Sequence, residues 1–252
     1  MKKNIFYLFA HQDDEFGAYI DISSKIKNNN IYVIYLTSGY KKQIIKSKLS
    51  KRDKESLFVL KKIGVKEKNI HFFGKQLNIN CNNLFLNMSK VYKKLNGLMQ
   101  NNTPHEVITL AWEGGHEDHD ACNIIARKIG YKFKIINSCK EFSLYNAYNC
   151  KVIFFRVFNP LKKGKIIRAN FYKRLFYVLC LFKYRSQLKI WFGLYPFIIY
   201  HYLFNGYNYM QPLNKSKNII RPHKGRLLYE IRNFCTFKLF KLKTNTFYKY
   251  YK

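Results

Sequence analysis

The chain has 252 residues, 48% of them apolar and 24% charged, a length and balance that build one packed core and exclude a disordered chain. Its 46 Lys and Arg against 14 Asp and Glu give a formal charge of +32, which argues against a cationic partner and favours an anionic one. The excess is uneven, since residues 1–150 hold 24 basic and 13 acidic side chains whereas residues 151–252 hold 22 basic ones and only Glu230. Solvated surface lysines in a Lys- and Asn-rich chain look the same, so charge alone names no partner.

Residues 4–10 and 31–36 are short apolar runs rich in Ile, Val and aromatics, as buried parallel strands are. Between them Phe16, Ile20, Ile22 and Ile26 share a helical face until Asn28, Asn29 and Asn30 break it, which gives strand, helix, strand with a right-handed crossover. The spacing then predicts a helix over 47–63 closed by Gly64, a strand over 69–73, a helix over 84–99 and a strand over 106–111. A helix from about His119 to Gly130 and strands over 134–137 and 151–158 follow. This order predicts an α/β fold over residues 1–158, Rossmann-like and doubly wound around a mostly parallel sheet.

Residues 159–252 read as a basic, aromatic extension packed on that core, with helical stretches over 171–189, a loop over 221–225 and a helix or strand over 227–242. Residues 190–214 carry no Lys, Arg, Asp or Glu and are long enough to span a bilayer. Gly193, Pro196, His201, Asn205, Gly206 and Asn208 interrupt them, and their tyrosines suit an interface better than a hydrocarbon core. The six cysteines lie far apart with no C-x-x-C pair, which predicts free thiols in a reducing, cytoplasmic setting. The apolar run 5–10 is too short for a signal-peptide core.

Acidic residues are scarce, yet Asp13, Asp14 and Glu15 stand together just after the first strand, beside His11. Crowded carboxylates repel unless a cation or proton intervenes, and strand carboxyl ends are where open α/β sheets place ligands. His116, Glu117, Asp118 and His119 follow the strand at 106–111 in the same way. Zinc takes imidazole nitrogens and carboxylate oxygens, three of them with one open position in a hydrolytic site, and Fe(II) accepts similar donors. His11, Asp14 and His119 can supply those three.

On these residues the sequence resembles the PIG-L and LmbE-like group of zinc-dependent deacetylases. Ala10-His11-Gln12-Asp13-Asp14-Glu15 matches its A-H-P-D-D-E motif with Gln12 in place of proline, and Gly114-Gly115-His116-Glu117-Asp118-His119 matches its H-x-D-H motif after two glycines. Leu36-Thr37-Ser38-Gly39, Arg52 with Glu55, Glu141 to Tyr145, and Tyr184-Arg185-Ser186-Gln187 are weaker likenesses. The likeness covers about residues 3–150, and it implies removal of an N-acetyl group from an amino sugar of the N-acetylglucosamine type.

The same resemblance implies His11, Asp14 and His119 as zinc ligands, Asp13 as general base, and His116 as the group that stabilises the oxyanion or protonates the leaving amine. Asp118 is expected to hold the His116 imidazole in its tautomer, and Glu15 to cap the first helix or support the site. Arg52, Tyr145 and Gln187 are candidates for substrate contact. The basic extension suits a phosphate- or lipid-linked sugar, with peripheral contact to an anionic membrane. The alternative is a basic membrane- or nucleic-acid-binding protein with a vestigial metal site. No nucleic-acid motif accompanies it, and a structural metal needs neither Asp13 nor His116.

Overall fold

A computed structural model describes residues 2–41, 49–151 and 155–250. The start of the helix expected over 47–63 and residues 152–154 of the strand expected over 151–158 lie outside the described residues. In chain order, β1 (Lys3–Phe9), α1 (Tyr19–Lys25), β2 (Asn29–Tyr35), α2 (Lys51–Ile63), β3 (Ile70–Phe72), a short α3 (Phe73–Gln76), α4 (Leu84–Asn101), β4 (Glu106–Leu110), α5 (Glu117–Lys132) and β5 (Lys140–Phe142) alternate. A small antiparallel pair follows, β6 (Tyr145–Asn146) with β7 (Arg156–Val157). The rest comprises β8 (Lys165–Arg168), α6 (Phe171–Leu181), α7 (Leu188–Trp191), α8 (Tyr195–Tyr200), a π-helical turn (His201–Asn205), β9 (Tyr207–Pro212), α9 (Leu228–Ile231) and α10 (Phe237–Tyr250).

Seven strands form one sheet in the order β3-β2-β1-β4-β5-β9-β8, parallel from β3 to β5 and antiparallel at β9 and β8. This is the mostly parallel α/β fold expected from the sequence. Every side chain of β1 from Ile5 to Phe9 is buried, because helices cover both faces of a central parallel strand. From β1 the chain winds one way to β2 and β3, then returns to β4 on the other side, so a crevice opens beyond the carboxyl ends of β1 and β4. Both acidic clusters sit at that crevice.

Several expected elements fall elsewhere. The strand expected over 134–137 is not formed: Lys134 turns the chain at φ 57°, Ile136–Ser138 makes a 3₁₀ turn, and the strand is β5. The helix expected from near His119 begins at Glu117, with His116 as its N-cap. The 227–242 stretch is two helices, α9 and α10. The uncharged 190–214 segment breaks into α8, the π-helical turn and β9, whose Asn208 Oδ1 accepts the Ile20 and Asp21 N–H groups at the start of α1. Among the described residues no helix is long and apolar enough to cross a membrane. All six cysteines are free.

Candidate metal centre

The first half of the site is the loop that leaves β1. Asp13 sits at φ 130°, ψ −27°, a backbone state that L-residues rarely adopt and that persists only where neighbours over-determine it. Here Glu15 Oε2 accepts the Asp13 N–H at 2.9 Å, and Arg52 Nη2 lies 3.0 Å from Asp13 Oδ2. Arg52 also donates to the Gln12 carbonyl at 2.8 Å and to the Gly39 carbonyl. Gln12 spans the loop, its Nε2 donating at 2.8 Å to Asp53 Oδ1 in the first turn of α2. A hydrogen bond thus pins this loop where the motif has proline. Glu15 Oε1 accepts the Tyr184 hydroxyl at 2.6 Å, so Glu15 supports Asp13 rather than capping a helix.

The second half is the loop between β4 and α5. A Cβ on Gly115 would stand 2.0 Å from the Tyr145 carbonyl oxygen, so only glycine lets the loop run this close to β6. Asp120 Oδ1 accepts the Glu113 and Gly114 N–H groups at 3.2 Å each, and Glu113 in turn accepts from Ser143, the Leu144 and Tyr145 N–H groups and Asn146. These buried carboxylates fasten the turn that presents His116 and His119.

Across the crevice His11 Nδ1 is 3.6 Å from Asp14 Oδ2, and His119 Nε2 is 3.2 Å from Asp14 Oδ1. Ligand atoms of His11, Asp14 and His119 all lie within 4.8 Å of one another, and all three residues are buried. His119 is 1% exposed, and among the described residues neither of its ring nitrogens has a hydrogen-bond partner. An imidazole buried without a hydrogen bond forfeits about 1–3 kcal/mol, and two nitrogens with a carboxylate are the donor set zinc takes. The three residues fit a divalent metal.

The Asp118 carboxylate does not hold His116, contrary to expectation; the Asp118 backbone N–H does. Asp118 Oδ2 lies 3.0 Å from His11 Nε2 and accepts the Asn82 N–H at 2.6 Å, while Oδ1 accepts the Leu84 N–H at 2.9 Å. The proximity of the two motifs decides this, because Asp118 reaches across to the imidazole whose Nδ1 faces Asp14. A metal-ligating histidine is oriented in this way by a carboxylate on its other nitrogen. His116 Nδ1 instead accepts the Asp118 N–H at 3.1 Å, which assigns its proton to Nε2. A second group, His11, Cys81, His116 and Asp118, also clusters, with Cys81 Sγ 3.4 Å from His11 Nε2, but Asp118 there is already engaged by three donors.

Burial pushes the Asp13 carboxyl up to about 7, with Asp14 adding to the rise and Arg52 opposing it. Burial also opposes ionisation of Asp14, yet His119 and His11 outweigh it and hold Asp14 well below the usual carboxylate range. At His11 burial is outweighed by Cys81, Asp14 and Asp118, which raise its pKa. Burial, with His11 and His119 beside it, keeps His116 neutral.

These groups open into a cavity of about 460 Å³. His11, Asp13, Asp14, Arg52, His116, Tyr145 and Gln187 line it, so most residues singled out in the sequence meet in one place, with Asp118 and His119 packed beneath. Arg52 and Glu55 do not pair with each other: Arg52 holds Asp13, and Glu55 accepts from Ser186. Lys41, Cys81, Trp191 and Arg232 also reach the cavity, from loops and helix ends whose spacing carries no signal in the sequence.

Residues 6–129 match the family described as PIG-L: GlcNAc-PI de-N-acetylase. Among solved structures the chain resembles the zinc-inhibited form of teicoplanin deacetylase, at 12% identity over 82% of this chain and 96% of that chain, with TM-score 0.58. It also resembles N,N'-diacetylchitobiose deacetylase from Pyrococcus horikoshii, at 19% identity over 83% of each chain with TM-score 0.56. A conserved protein from Thermus thermophilus is similar at 15% identity, over 88% of this chain and 98% of that one, with TM-score 0.56. Identities this low establish the shared fold. No curated protein matches the sequence.

Proposed function

Since residues 6–129 form a PIG-L family domain, we propose that this chain is a metal-dependent hydrolase that removes an N-acetyl group from an amino sugar of the N-acetylglucosamine type, carried on a phosphate or lipid. The observation that carries this reading is the convergence of His11, Asp14 and His119 on one point, with Asp13 and His116 beside it in the cavity. The deacetylases of teicoplanin and of diacetylchitobiose, both similar in fold, support the reaction class.

Held by His11, Asp14 and His119, a divalent metal, zinc or Fe(II), would polarise the acetamide carbonyl and lower the pKa of water toward about 7. Asp13 takes a proton from the attacking water. Burial suits it to that task by placing its pKa at about 7, and Arg52 occupies Oδ2 so that Oδ1 is left to the proton. The water oxygen adds to the acetyl carbonyl carbon, the C–N bond breaks, and the proton held by Asp13 passes to the departing nitrogen, leaving acetate and a free amine. His116, neutral with its proton on Nε2, donates a hydrogen bond to the oxygen that gains charge in the transition state.

Asp118 keeps His11 in the orientation that presents Nδ1. In this reading residues 1–158 supply the chemistry, and residues 159–252 supply one cavity wall through Gln187, Trp191 and Arg232. The test is acetate release from a panel of N-acetylated sugars, free, nucleotide-linked and lipid-linked, by metal-analysed protein and its Asp13→Asn variant. Release that requires both metal and Asp13 is expected. Metal-loaded protein that releases no acetate from any of them would overturn the assignment.

A further inference from the structure

Helix α6 is apolar on two faces. Tyr177, Val178 and Leu181 turn inward and are buried, whereas Tyr172, Leu175, Leu179 and Phe182, three and four residues apart, form a second stripe that faces outward. Tyr172 is 83% exposed and Leu179 64%. A surface helix in water needs only one apolar face, so the outer stripe serves something else.

A parallel feature lies on α8 and the π-helical turn. Phe197, Tyr200 and Phe204 recur at the same spacing and are exposed, Phe204 to 68%, with the Tyr200 and Phe204 rings 4.9 Å apart. The two stripes belong to one surface: Tyr195 donates to the Leu181 carbonyl at 2.6 Å, and its ring lies 5.6 Å from that of Phe182. Phe192, between α7 and α8, is 84% exposed. A contiguous apolar patch rimmed by polar side chains marks an interaction site.

The charge around the patch identifies the partner. Lys183 stands 5.7 Å from the Phe58 ring of α2, as does Lys62, and Lys54 on α2, Lys173 on α6 and Arg185 between α6 and α7 are exposed. Carboxylates are fewer here among the described residues: Glu55, which accepts from Ser186, offsets one of these cations, and Glu230, the only acidic residue beyond 150, pairs with Arg221. Two copies of the chain meeting through this face would oppose lysine to lysine. A surface that combines exposed aromatics with an excess of cations is complementary to lipid headgroups carrying negative charge.

We propose that α6, α8 and the π-helical turn form a docking face for an anionic lipid bilayer, with the aromatic stripes entering the headgroup boundary and the lysines resting on lipid phosphates. Trp191 and Leu194, which line the cavity, come from the same stretch of chain, so docking brings the cavity mouth toward the bilayer surface. Docking requires no turnover, so its test is independent of the deacetylase reading.

The experiment is flotation of the full chain with vesicles of phosphatidylcholine alone and of phosphatidylcholine mixed with phosphatidylglycerol. Wild type is expected to float with the anionic vesicles at low salt, to leave them as salt screens the lysines, and to ignore the neutral ones. A Leu179→Ser, Phe192→Ser, Phe204→Ser triple variant should bind at least about tenfold more weakly, whereas Leu242→Ser, an exposed position on α10, should bind as wild type does. Hydroxyl-radical footprinting of the wild type gives a readout free of folding effects: vesicles should protect Tyr172, Phe192 and Phe204. Absence of anionic-vesicle binding, unchanged binding by the triple variant, or a wild-type dimer that the triple variant dissolves without any vesicle binding would each overturn the proposal.

Discussion

Replacing Arg52 with Met tests whether the electrostatics of Asp13 govern turnover. Arg52 is buried, its Nη2 lies 3.0 Å from Asp13 Oδ2, and it also satisfies the Gln12 and Gly39 carbonyls. A unit charge pair about 4 Å apart at an effective dielectric near 20 is worth up to about 4 kcal/mol, and an arginine beside a carboxylate shifts its pKa by about 1–3 units in practice. Without Arg52 the Asp13 pKa therefore climbs from about 7 by that amount. Asp13 must be ionised to accept a proton, so activity rises with pH through this pKa. The acid limb of kcat/KM should move alkaline by about 1–3 pH units, cutting activity near neutrality by about 5- to 500-fold while the alkaline plateau persists.

Stability runs against pH in the opposite sense to activity. A carboxyl whose folded-state pKa is raised above its ordinary value of 3.8 contributes stability fully present below that value and lost as pH rises through about 7. In Arg52→Met the loss extends to higher pH, and the stranded carbonyls add about 2–4 kcal/mol of destabilisation. Arg52→Lys separates charge from geometry, since lysine keeps the cation without the planar fork. It should return the acid limb toward wild type while Tm stays low. The assays are a pH profile of kcat/KM and thermal denaturation at several pH values. A rate that falls equally at every pH in Arg52→Met, with an unmoved acid limb, would refute the electrostatic role.

Three further outcomes follow from the same contacts. Asp118→Asn keeps one acceptor where Asp118 now serves His11 and two backbone N–H groups, so zinc affinity should fall by about 10- to 100-fold, measured by competition with a chromogenic chelator. Dialysis against a chelator should lower Tm, and zinc at about a hundred times its Kd should restore about 2.7 kcal/mol; a Tm indifferent to both would argue against a metal at His119. Glu113→Gln turns an amide NH₂ toward the donors that now surround the carboxylate, which should cost about 2–4 kcal/mol in chemical denaturation. Burial raises Glu113 from 4.5 to about 7, so wild-type stability should decline as pH rises through that interval, and the variant should lose that part of the slope.

What the sequence discloses and what it hides divide along physical lines. The β1 and β4 strands announce themselves because central parallel strands are apolar on both faces, and the acidic loops after them stand out against a basic chain. β5 escapes because Lys140 and Glu141 make it look like a turn. Their charges are balanced by partners distant in the chain, Glu106 for Lys140 and Asn123 and Lys162 for Glu141. The apolar Ile135 and Ile136 just before it mimic a strand while packing on the core from a 3₁₀ turn. The role of the Asp118 carboxylate is hidden for a related reason: spacing within H-x-D-H suggests that it holds His116, whereas the imidazole it meets is 107 residues away and only the Asp118 N–H serves His116. Lys41 and Arg232 reach the cavity only through tertiary folding, so no local pattern marks them.

Half of the chain's 14 carboxylates, Asp13, Asp14, Glu15, Glu113, Glu117, Asp118 and Asp120, are buried at one end of one sheet in a protein of net charge +32. Buried charges persist where partners satisfy them, and here those partners can be named. Arg52 holds Asp13, Tyr184 and the Asp13 N–H hold Glu15, and Asn82 donates to Glu117. Backbone N–H groups hold Asp120, and backbone with side-chain donors hold Glu113; Asp118 takes His11 and two N–H groups. Among the described residues this accounting leaves one oxygen each of Glu117 and Asp120 without a hydrogen bond, and it leaves Asp14, whose Oδ2 accepts the His11 N–H, between two imidazoles, one of which has no hydrogen bond on either nitrogen. The carboxylates around the crevice therefore build and orient the site, and the residual demand, for a cation that takes one oxygen and two nitrogens, falls on His11, Asp14 and His119.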